Sequence, residues 1–442
     1  MKKNRTACIY SRIRGLLTMT LFVFLGLVGK AQVQPTTSLV GTWSGKLNVG
    51  ALSLSLVLHL EQADGYVTAT IDSPDQGAKG IGAYKEFLSD DSIALKIDML
   101  GVRYRARLED GKLQGTFSQN GQSIPLILTR GVVEVKRPQM PQPPFPYETE
   151  DVTFRNEADG AILAGTISYP VGYGKQSKKT PVVLLVSGSG QQNRNEELFN
   201  HKPFLVIADY LARHGIASLR YDDRATGASV GGEVAKATTE DFMRDAAAGL
   251  RFLRSKKIFR KIGVLGHSEG GCIAFMLGAK RKGKGVASSI ESTPDFIISL
   301  AGPGVKGDTL LVAQGNRILS LSGQPANMTI ENYRQQQAVL QMPWLQWFIN
   351  YDPSTDIRNT HCPVLALNGA NDSQVISSLN LSAIRQLLPK SKKNLVKEYP
   401  ELNHLFQHCT TGLPTEYGQI EETISPEVLQ DIVEWIIDVS RK

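Results

Sequence analysis

One serine of this chain stands in a setting typical of a catalytic nucleophile. Ser268 is the central residue of Gly266-His267-Ser268-Glu269-Gly270, a G-x-S-x-G pattern. The apolar run Ile262-Gly263-Val264-Leu265 precedes the pattern, and small residues dominate positions 271–279 after it. The local order of strand, sharp turn and helix presents a serine hydroxyl at the carboxyl edge of a sheet, beside a helix N-terminus. The sequence therefore predicts that Ser268 is a nucleophile.

The same five-residue pattern occurs a second time, at Gly227-Ala228-Ser229-Val230-Gly231. No apolar strand directly precedes this copy, and no clear helical pattern follows it, so we interpret it as a surface loop. The setting of the pattern, rather than its letters, distinguishes Ser268 from Ser229.

A nucleophilic serine needs a base to take its proton, and the base needs an acid to orient it. After a strand–turn–helix of this kind the acid comes next in the chain and the histidine last, which leaves His361, His404 and His408 as candidate bases. His361 precedes a predicted strand, so it would lie at the wrong edge of the sheet. His404 follows the last predicted strand, at the edge expected for Ser268, and it is our preferred base; His408 is the alternative.

The acid is expected in the loop after the predicted strand 363–367. Asp372 is the acidic residue of that loop, whereas Asp352 and Asp356 precede the strand and are weaker candidates. Asp372 is therefore the predicted partner of His404.

The oxyanion that forms during acyl transfer needs two backbone N–H donors. One donor is expected from Glu269, directly after the nucleophile, and the other from Ser189 or Gly190 in the loop after the predicted strand 181–186. The sequence of that loop, Ser-Gly-Ser-Gly, lacks the lysine and the spacing of a phosphate-binding loop.

The elements around these residues indicate two domains joined by a linker. Residues 38–130 contain short alternating segments separated by Asp-Gly and Asn-Gly turns, which predicts a small antiparallel β-barrel or sandwich. Five prolines mark residues 131–147 as a semi-rigid linker. Residues 148–442 alternate predicted strands and helices, so we expect an α/β domain with a mostly parallel sheet covered by helices on both faces. Residues 302–356 interrupt that alternation and are expected to form a helical cap.

The first 31 residues predict a signal peptide that is cleaved after Ala31, because a basic segment leads to an apolar stretch and then to small residues. They hold six basic residues and no acidic ones, so the net charge of +7 leaves +1 for the rest of the chain. That balance offers no argument for a nucleic-acid partner. We therefore expect an exported protein, periplasmic or extracellular, with no membrane association once the signal is removed.

The second domain resembles the α/β-hydrolase superfamily, and it is similar to secreted bacterial esterases of the esterase D type. The resemblance covers about residues 147–442, and more loosely the domain before them. It is carried by residues 186–190, 221–227, 266–271, 369–375 and 403–404. Ala225 stands where the family usually has glycine, and Asn193 where it often has aspartate.

The resemblance implies an α/β-hydrolase fold and the hydrolysis of short acyl esters by Ser268, Asp372 and His404. It extends to the serine aminopeptidases of the superfamily, so an aminopeptidase or amidase is the alternative function. Aminopeptidases with proline specificity usually carry His-Gly-Gly-Pro-Gly at the oxyanion loop, and the Ser-Gly-Ser-Gly loop argues against them. No cofactor and no metal are expected, and the expected partner is a small-molecule or glycan-linked ester; the sequence leaves the oligomeric state open.

Overall fold

The structure is a computed structural model, and it describes residues 38–49, 52–74, 78–131, 135–175, 180–279, 292–340 and 342–441. The predicted signal peptide at residues 1–31 lies outside the described residues.

The N-terminal domain is a closed antiparallel barrel of eight strands, in which β1 pairs with both β2 and β8. One set of alternate side chains fills its interior, and Trp43 is fully buried there with its indole N–H donating to Leu39 O at 2.7 Å. The barrel is thus confirmed over the sandwich that the sequence left open. Its strands are β1 Gly41–Val49, β2 Leu52–Ala63, β3 Tyr66–Ser73, β4 Ala78–Leu88, β5 Ser92–Ile97, β6 Val102–Glu109, β7 Lys112–Gln119 and β8 Gln122–Arg130.

The C-terminal domain is built on a second sheet of eight strands in the order β16-β15-β14-β13-β11-β12-β10-β9. β10 runs antiparallel to both of its neighbours, β9 and β12. The other neighbouring pairs, from β12 through β11, β13, β14 and β15 to β16, are parallel. These strands are β9 Thr149–Arg155, β10 Ile162–Ser168, β11 Val182–Val186, β12 Ala217–Tyr221, β13 Ile262–His267, β14 Phe296–Leu300, β15 Val364–Gly369 and β16 Leu395–Tyr399.

Two hydrophobic cores cover the two faces of this sheet. Along β11, Val182, Leu184 and Val186 belong to one core, while Val183 and Leu185 belong to the other, as the two-residue period of a strand requires. The helices that supply these cores are α1 Pro203–Arg213, α2 Thr239–Ser255, α3 Glu269–Gly278, α8 Ser377–Leu387 and α9 Pro426–Ser440. α2, α3 and α8 pack on one face and α1 and α9 on the other, which confirms the predicted α/β-hydrolase architecture.

Four further helices lie between β14 and β15, in the stretch for which a cap was expected. They are α4 Gly307–Leu321, α5 Ile330–Ala338, α6 Pro343–Phe348 and α7 Ser354–Arg358. α4 and α6 contribute Leu310 and Phe348 to a small core that also contains Val375, from the loop after β15. Of the helices in the described ranges, none is long and apolar enough to cross a bilayer.

Candidate active site

Ser268 occupies a strained turn between β13 and α3. Its φ of 53° and ψ of −117° lie in a region of backbone conformation that residues other than glycine rarely adopt. A Cβ at position 266 would come within 1.9 Å of Gly270 O, so the flanking glycines allow strand and helix to approach closely. The turn holds Ser268 at the carboxyl end of β13, as the sequence predicted.

The predicted base and acid are hydrogen-bonded to each other. His404 Nδ1 donates to Asp372 Oδ2 at 2.8 Å, and both side chains are buried. The second carboxylate oxygen, Oδ1, accepts from the backbone N–H groups of Gln374 and Val375, each at 2.8 Å. These contacts fix the carboxylate, and they leave Nε2 of His404 as the nitrogen that can accept a proton.

The loop that carries His404 is organised by the residue before it. Asn403 Oδ1 accepts from the N–H groups of Leu405 at 2.9 Å and Gln407 at 3.0 Å, and Phe406 takes a positive φ of 60°. Asn403 thus closes a tight turn that presents the histidine. The sequence places Asn403 there but gives no sign of this role.

The two other candidate bases lie elsewhere. His408 is exposed and contacts Glu422 at 2.8 Å, and it does not line the cavity at Ser268. The N–H of His361 contacts Gly278 O at 3.4 Å, which lies at the end of α3, the helix that leads away from Ser268. Position in the fold therefore favours His404.

Ser268 and His404 line one cavity of about 390 Å³ beneath the helices that follow β14. Trp344 and Phe348 of α6 form part of its wall, with their rings stacked at 5.2 Å between centroids. The wall is otherwise mostly apolar or amide-bearing: Leu198, Phe199, Pro303, Leu310, Leu311, Gln314, Gln374, Val375, Leu405, Pro414 and Tyr417. Such a lining suits a neutral ligand with an apolar or aromatic group.

The predicted oxyanion residues do not all line the same cavity. Ser189 lines the cavity, whereas Gly190, with a φ of 98°, lines a smaller neighbouring void together with Glu269. The N–H of Gly188 is already used, because it donates to Glu196 Oε1 at 2.7 Å. Glu269 is the first residue of α3, and the first N–H groups of a helix have no partner within it.

The carboxyl of Glu269 is buried and bonded to the cap. Trp344 Nε1 donates to Glu269 Oε1 at 2.8 Å, and burial raises the pKa of Glu269. The side chain after the nucleophile therefore ties α6 to the catalytic turn, a contact that the sequence did not indicate.

A second buried carboxyl, that of Asp223, accepts hydrogen bonds from the loop that contains the predicted oxyanion residues Ser189 and Gly190. Asp223 Oδ1 accepts from Ser187 Oγ and Oδ2 from the N–H of Gln192, each at 2.9 Å. Burial raises the pKa of Asp223 to about 8, and the nearby carboxyls of Glu269 and Asp245 add to the effect. The folded protein thus holds this proton more tightly than the unfolded chain, whose aspartates titrate near 3.8.

Asp223→Asn is expected to reduce the loss of thermal stability at alkaline pH. A group whose pKa is raised on folding stabilises fully below its unfolded pKa, and this contribution is lost as the pH rises through about 8. The neutral amide cannot lose that proton, so the fall in Tm between pH 5 and pH 9 should be smaller by about 2–4 °C than in the wild type. Calorimetric scans across that range measure it. Asp438→Asn, at an exposed site of α9, should leave the wild-type slope; an equal slope in Asp223→Asn would contradict the assignment.

Sequence reasoning missed a buried ion pair directly beside the catalytic residues. His267 Nδ1 donates to Glu196 Oε1 at 2.9 Å and its Nε2 donates to His404 O at 3.0 Å. Burial opposes protonation, but the charge and hydrogen bond of Glu196 hold the pKa of His267 above its ordinary value. His267 was set aside as a base because it precedes Ser268, and nothing in the sequence around Glu196 marks it.

The second G-x-S-x-G copy has a structural role. Ser229 is buried, donates to Asp222 O at 2.7 Å and accepts from the N–H of Ala164 at 2.9 Å. The segment lies in a loop, as expected, but its serine is not on the surface. Ser229 thus fastens the loop to β10.

The segment 221–227, which carried part of the resemblance, has a supporting role. Asp222 forms a two-pronged pair with Arg194, with Arg194 Nη2 2.7 Å from Oδ2 and Nε 3.1 Å from Oδ1. Ala225 has a φ of 53°, which costs a side chain about 1 kcal/mol and explains why glycine is usual there. The segment anchors the loop between β11 and α1.

The described residues contain no group of three or more His, Cys, Asp or Glu side chains placed to hold a metal ion. A serine in a strained turn and a buried His–Asp pair at one cavity are the kinds of group that acyl transfer by a serine requires.

Comparisons with known proteins find a family model, a curated relative and solved structures that are similar to this chain. Residues 202–408 match the family model described as serine aminopeptidase, S33. Esterase EstD of Thermotoga maritima is 25% identical over 308 residues, a match that covers 66% of this chain and 68% of that protein. An esterase of Pyrococcus furiosus is 17% identical with a TM-score of 0.44, over 70% of this chain and 99% of that one. Est1E of Butyrivibrio proteoclasticus, solved with ferulic acid bound, is 17% identical with a TM-score of 0.45, over 66% and 100%.

Proposed function

We propose that this chain is a secreted serine hydrolase of short-chain carboxylic esters. Its C-terminal domain is a serine aminopeptidase-like α/β hydrolase homologous to esterase EstD. The observation that carries the proposal is the His404–Asp372 hydrogen bond of 2.8 Å beside the cavity that Ser268 and His404 both line. The predicted leader at residues 1–31 supports export, to the periplasm or the exterior.

In this mechanism, Ser268 Oγ attacks the acyl carbon while His404 Nε2 takes the hydroxyl proton. Asp372 holds the imidazole in the required tautomer and stabilises the imidazolium. The N–H of Glu269 and that of Ser189 or Gly190 bind the oxyanion. His404 then gives its proton to the leaving alcohol, which departs from the acyl-enzyme. A water molecule, activated by the same imidazole, releases the acid and regenerates Ser268.

An aminopeptidase or amidase is the second candidate, because the matching family model is described as a serine aminopeptidase. Such an enzyme needs an acidic group to bind the free α-amine of its substrate. Glu196 is the acidic residue among the described residues that line the cavity, and its carboxylate is already paired with His267 and with the N–H of Gly188. The cavity therefore favours neutral esters over substrates with a charged amine.

A labelling experiment tests the proposal. The purified protein should release p-nitrophenol from p-nitrophenyl acetate and butyrate, and a fluorophosphonate should block this activity by modifying one serine. Peptide mapping by mass spectrometry should locate the adduct on Ser268, and not on Ser229 or Ser189. An adduct elsewhere, or full activity after complete labelling of Ser268, would refute the mechanism. Faster turnover of aminoacyl anilides than of esters would favour the aminopeptidase.

A further inference from the structure

One wall of the cavity is formed by a segment that comes late in the chain. We call residues 412–425 the wall segment; its Pro414 and Tyr417 line the cavity. The buried Tyr417 hydroxyl accepts from Gln374 Nε2 at 2.9 Å. The Tyr417 ring meets that of Phe199, another wall residue, edge to face at 5.9 Å. The position of the wall segment therefore sets the space available to a substrate group on this side.

The proline-rich linker between the two domains holds the wall segment through two side chains. The Arg137 guanidinium donates to Ile420 O and Gly418 O, each at 2.8 Å, and to Phe199 O at 2.9 Å. The Arg137 guanidinium therefore binds the carbonyl of Phe199 and, on the other side of the aromatic contact, the carbonyls of Gly418 and Ile420. Since charge-assisted hydrogen bonds in a partly buried setting are strong, Arg137 fixes Phe199 and Tyr417 relative to each other.

Gln139 binds the wall segment closer to its C-terminal end, through both the oxygen and the nitrogen of its side-chain amide. Its Oε1 accepts from the N–H of Thr423 at 2.6 Å and of Ile424 at 3.1 Å, and its Nε2 donates to Ile424 O at 2.7 Å. The amide pairs with the backbone as a neighbouring strand would. The barrel itself contributes Lys46, whose Nζ lies 2.5 Å from Gln419 Oε1.

The wall segment is joined on its inner side to the hydrolase domain. The fully buried His201 donates from Nε2 to Tyr417 O at 3.0 Å, and its Nδ1 accepts from Thr423 Oγ1 at 2.9 Å. Burial lowers the pKa of His201 to about 4, with the charge of Arg137 adding to the shift, so the ring is neutral at neutral pH. The wall segment therefore lies between a neutral histidine inside and the linker outside.

The catalytic groups do not depend on the linker in the same way. Ser268 is held by β13 and α3, Asp372 by backbone N–H groups of its own loop, and His404 by Asp372 and His267. The wall segment also contacts the loops of Asp372 and His404, because Gly412 O accepts from Ser373 Oγ at 2.7 Å and Glu422 O accepts from Gln407 Nε2 at 2.9 Å. Because each catalytic side chain keeps its own contacts, a change at Arg137 or Gln139 should move the cavity wall more than the reacting atoms.

We propose that Arg137 and Gln139 are positioning residues that determine which ester groups this hydrolase accepts, by fixing Tyr417, Pro414 and Phe199 in the cavity wall. The N-terminal unit is then part of the substrate site through its linker, and the group it selects is the larger apolar or aromatic substituent of the ester. This inference rests on the proposed function of the cavity.

The test uses the full-length protein with Arg137→Ala, Gln139→Ala and Arg137→Lys, assayed on p-nitrophenyl acetate, butyrate and octanoate. For Arg137→Ala and Gln139→Ala we expect kcat for acetate to stay within about twofold of the wild type. We expect the ratio of kcat/KM for octanoate to that for acetate to change by about fivefold or more, through KM. Arg137→Lys should give an intermediate ratio, because an ammonium lacks the planar fork that reaches three carbonyls.

Matched controls distinguish the positioning role of Arg137 and Gln139 from a general effect of charge and from a loss of protein stability. Lys136→Ala and Gln142→Ala remove an exposed cation and an exposed amide of the same linker, and they should leave the octanoate/acetate ratio unchanged. Thermal scans show whether each variant is folded, and Gln139→Ala keeps the test decisive if Arg137→Ala does not fold. An unchanged ratio in folded variants, or a parallel fall of kcat for both esters, would overturn the inference while leaving the esterase intact. A wild type inactive on all the esters would overturn both.

Discussion

Replacing His404 with alanine is expected to lower kcat for p-nitrophenyl butyrate by about 10⁵-fold, close to the background rate. The imidazole removes the proton of Ser268 and later protonates the leaving group, so its loss disables both halves of the reaction. Asp372, buried and bonded to His404 at 2.8 Å, would also lose its partner. Steady-state kinetics on the purified variant, with circular dichroism to verify folding, measure the effect.

His408→Ala is the matched control for this prediction. His408 lies four residues further along the chain, is exposed, and pairs with Glu422 rather than with Asp372. Its replacement should change kcat by less than about twofold, since exposed pairs of this kind contribute little. A large loss in His408→Ala together with an active His404→Ala would exchange the roles of the two histidines and refute the proposed site.

Ser268→Ala adds a test of whether the groups act as one unit. The serine and the histidine serve the same steps, so the double variant Ser268→Ala/His404→Ala should be no slower than either single variant. Additive losses would mean that the two side chains contribute to different processes, which the proposed mechanism does not allow.

Much of the hydrolase domain could be predicted because its signals are local. The buried strands of a parallel sheet are short apolar runs, such as those of β11 and β15. Their observed bounds differ from the predicted 181–186 and 363–367 by only a residue or two. The chain order of nucleophile, acid and histidine then singled out Asp372 and His404, which the fold brings to hydrogen-bonding distance. Pattern and topology were sufficient to select two residues that the fold brings together, and their catalytic roles stay a prediction.

The barrel was predicted less completely, because two of its strands carry weak patterns. β4 has no fully buried residue in the sequence AKGIGAYKEFL, and β1 is interrupted by glycine and lysine. Closure of a barrel also depends on the pairing of β1 with β8, which lie about as far apart in the domain as two strands can. Such long-range pairing leaves no trace in a short window of sequence.

The residues that support the catalytic groups and the cavity wall could not be found from the sequence. Glu196, Asp223 and Arg137 contact residues that are distant from them in the chain, namely His267, Gln192 and Gly418. A charged residue in a loop usually indicates a solvated surface, and only the three-dimensional structure shows these three to be partly or fully buried. The pair of Glu196 and His267 is the strongest example, because it joins two elements that both serve the reaction.

Glu196→Ala is expected to destabilise the protein by about 3 kcal/mol and to lower kcat by about 10-fold or more. Its carboxylate accepts from His267 Nδ1 at 2.9 Å and from the N–H of Gly188 at 2.7 Å. Without it, both donors are buried and unpaired. The tether from His267 Nε2 to His404 O weakens because the imidazolium loses its counter-charge, so the oxyanion loop and the catalytic base both shift. Urea unfolding and steady-state kinetics measure the two effects.

The pH dependence of the same variant separates this ion pair from simple packing. Because the pKa of His267 is raised in the folded protein, its charge stabilises fully below its ordinary value of 6.5, and this contribution is lost as the pH rises through the folded pKa. The stability gap between wild type and Glu196→Ala should therefore be largest near pH 6 and narrow towards pH 9.

Glu196→Gln, which keeps an acceptor for the N–H of Gly188, should show about half the loss of stability. Glu197→Ala, at the exposed neighbouring position, should show almost none. A gap that is the same at both pH values would mean that Glu196 acts by filling space, and that no buried charge holds the base beside the nucleophile.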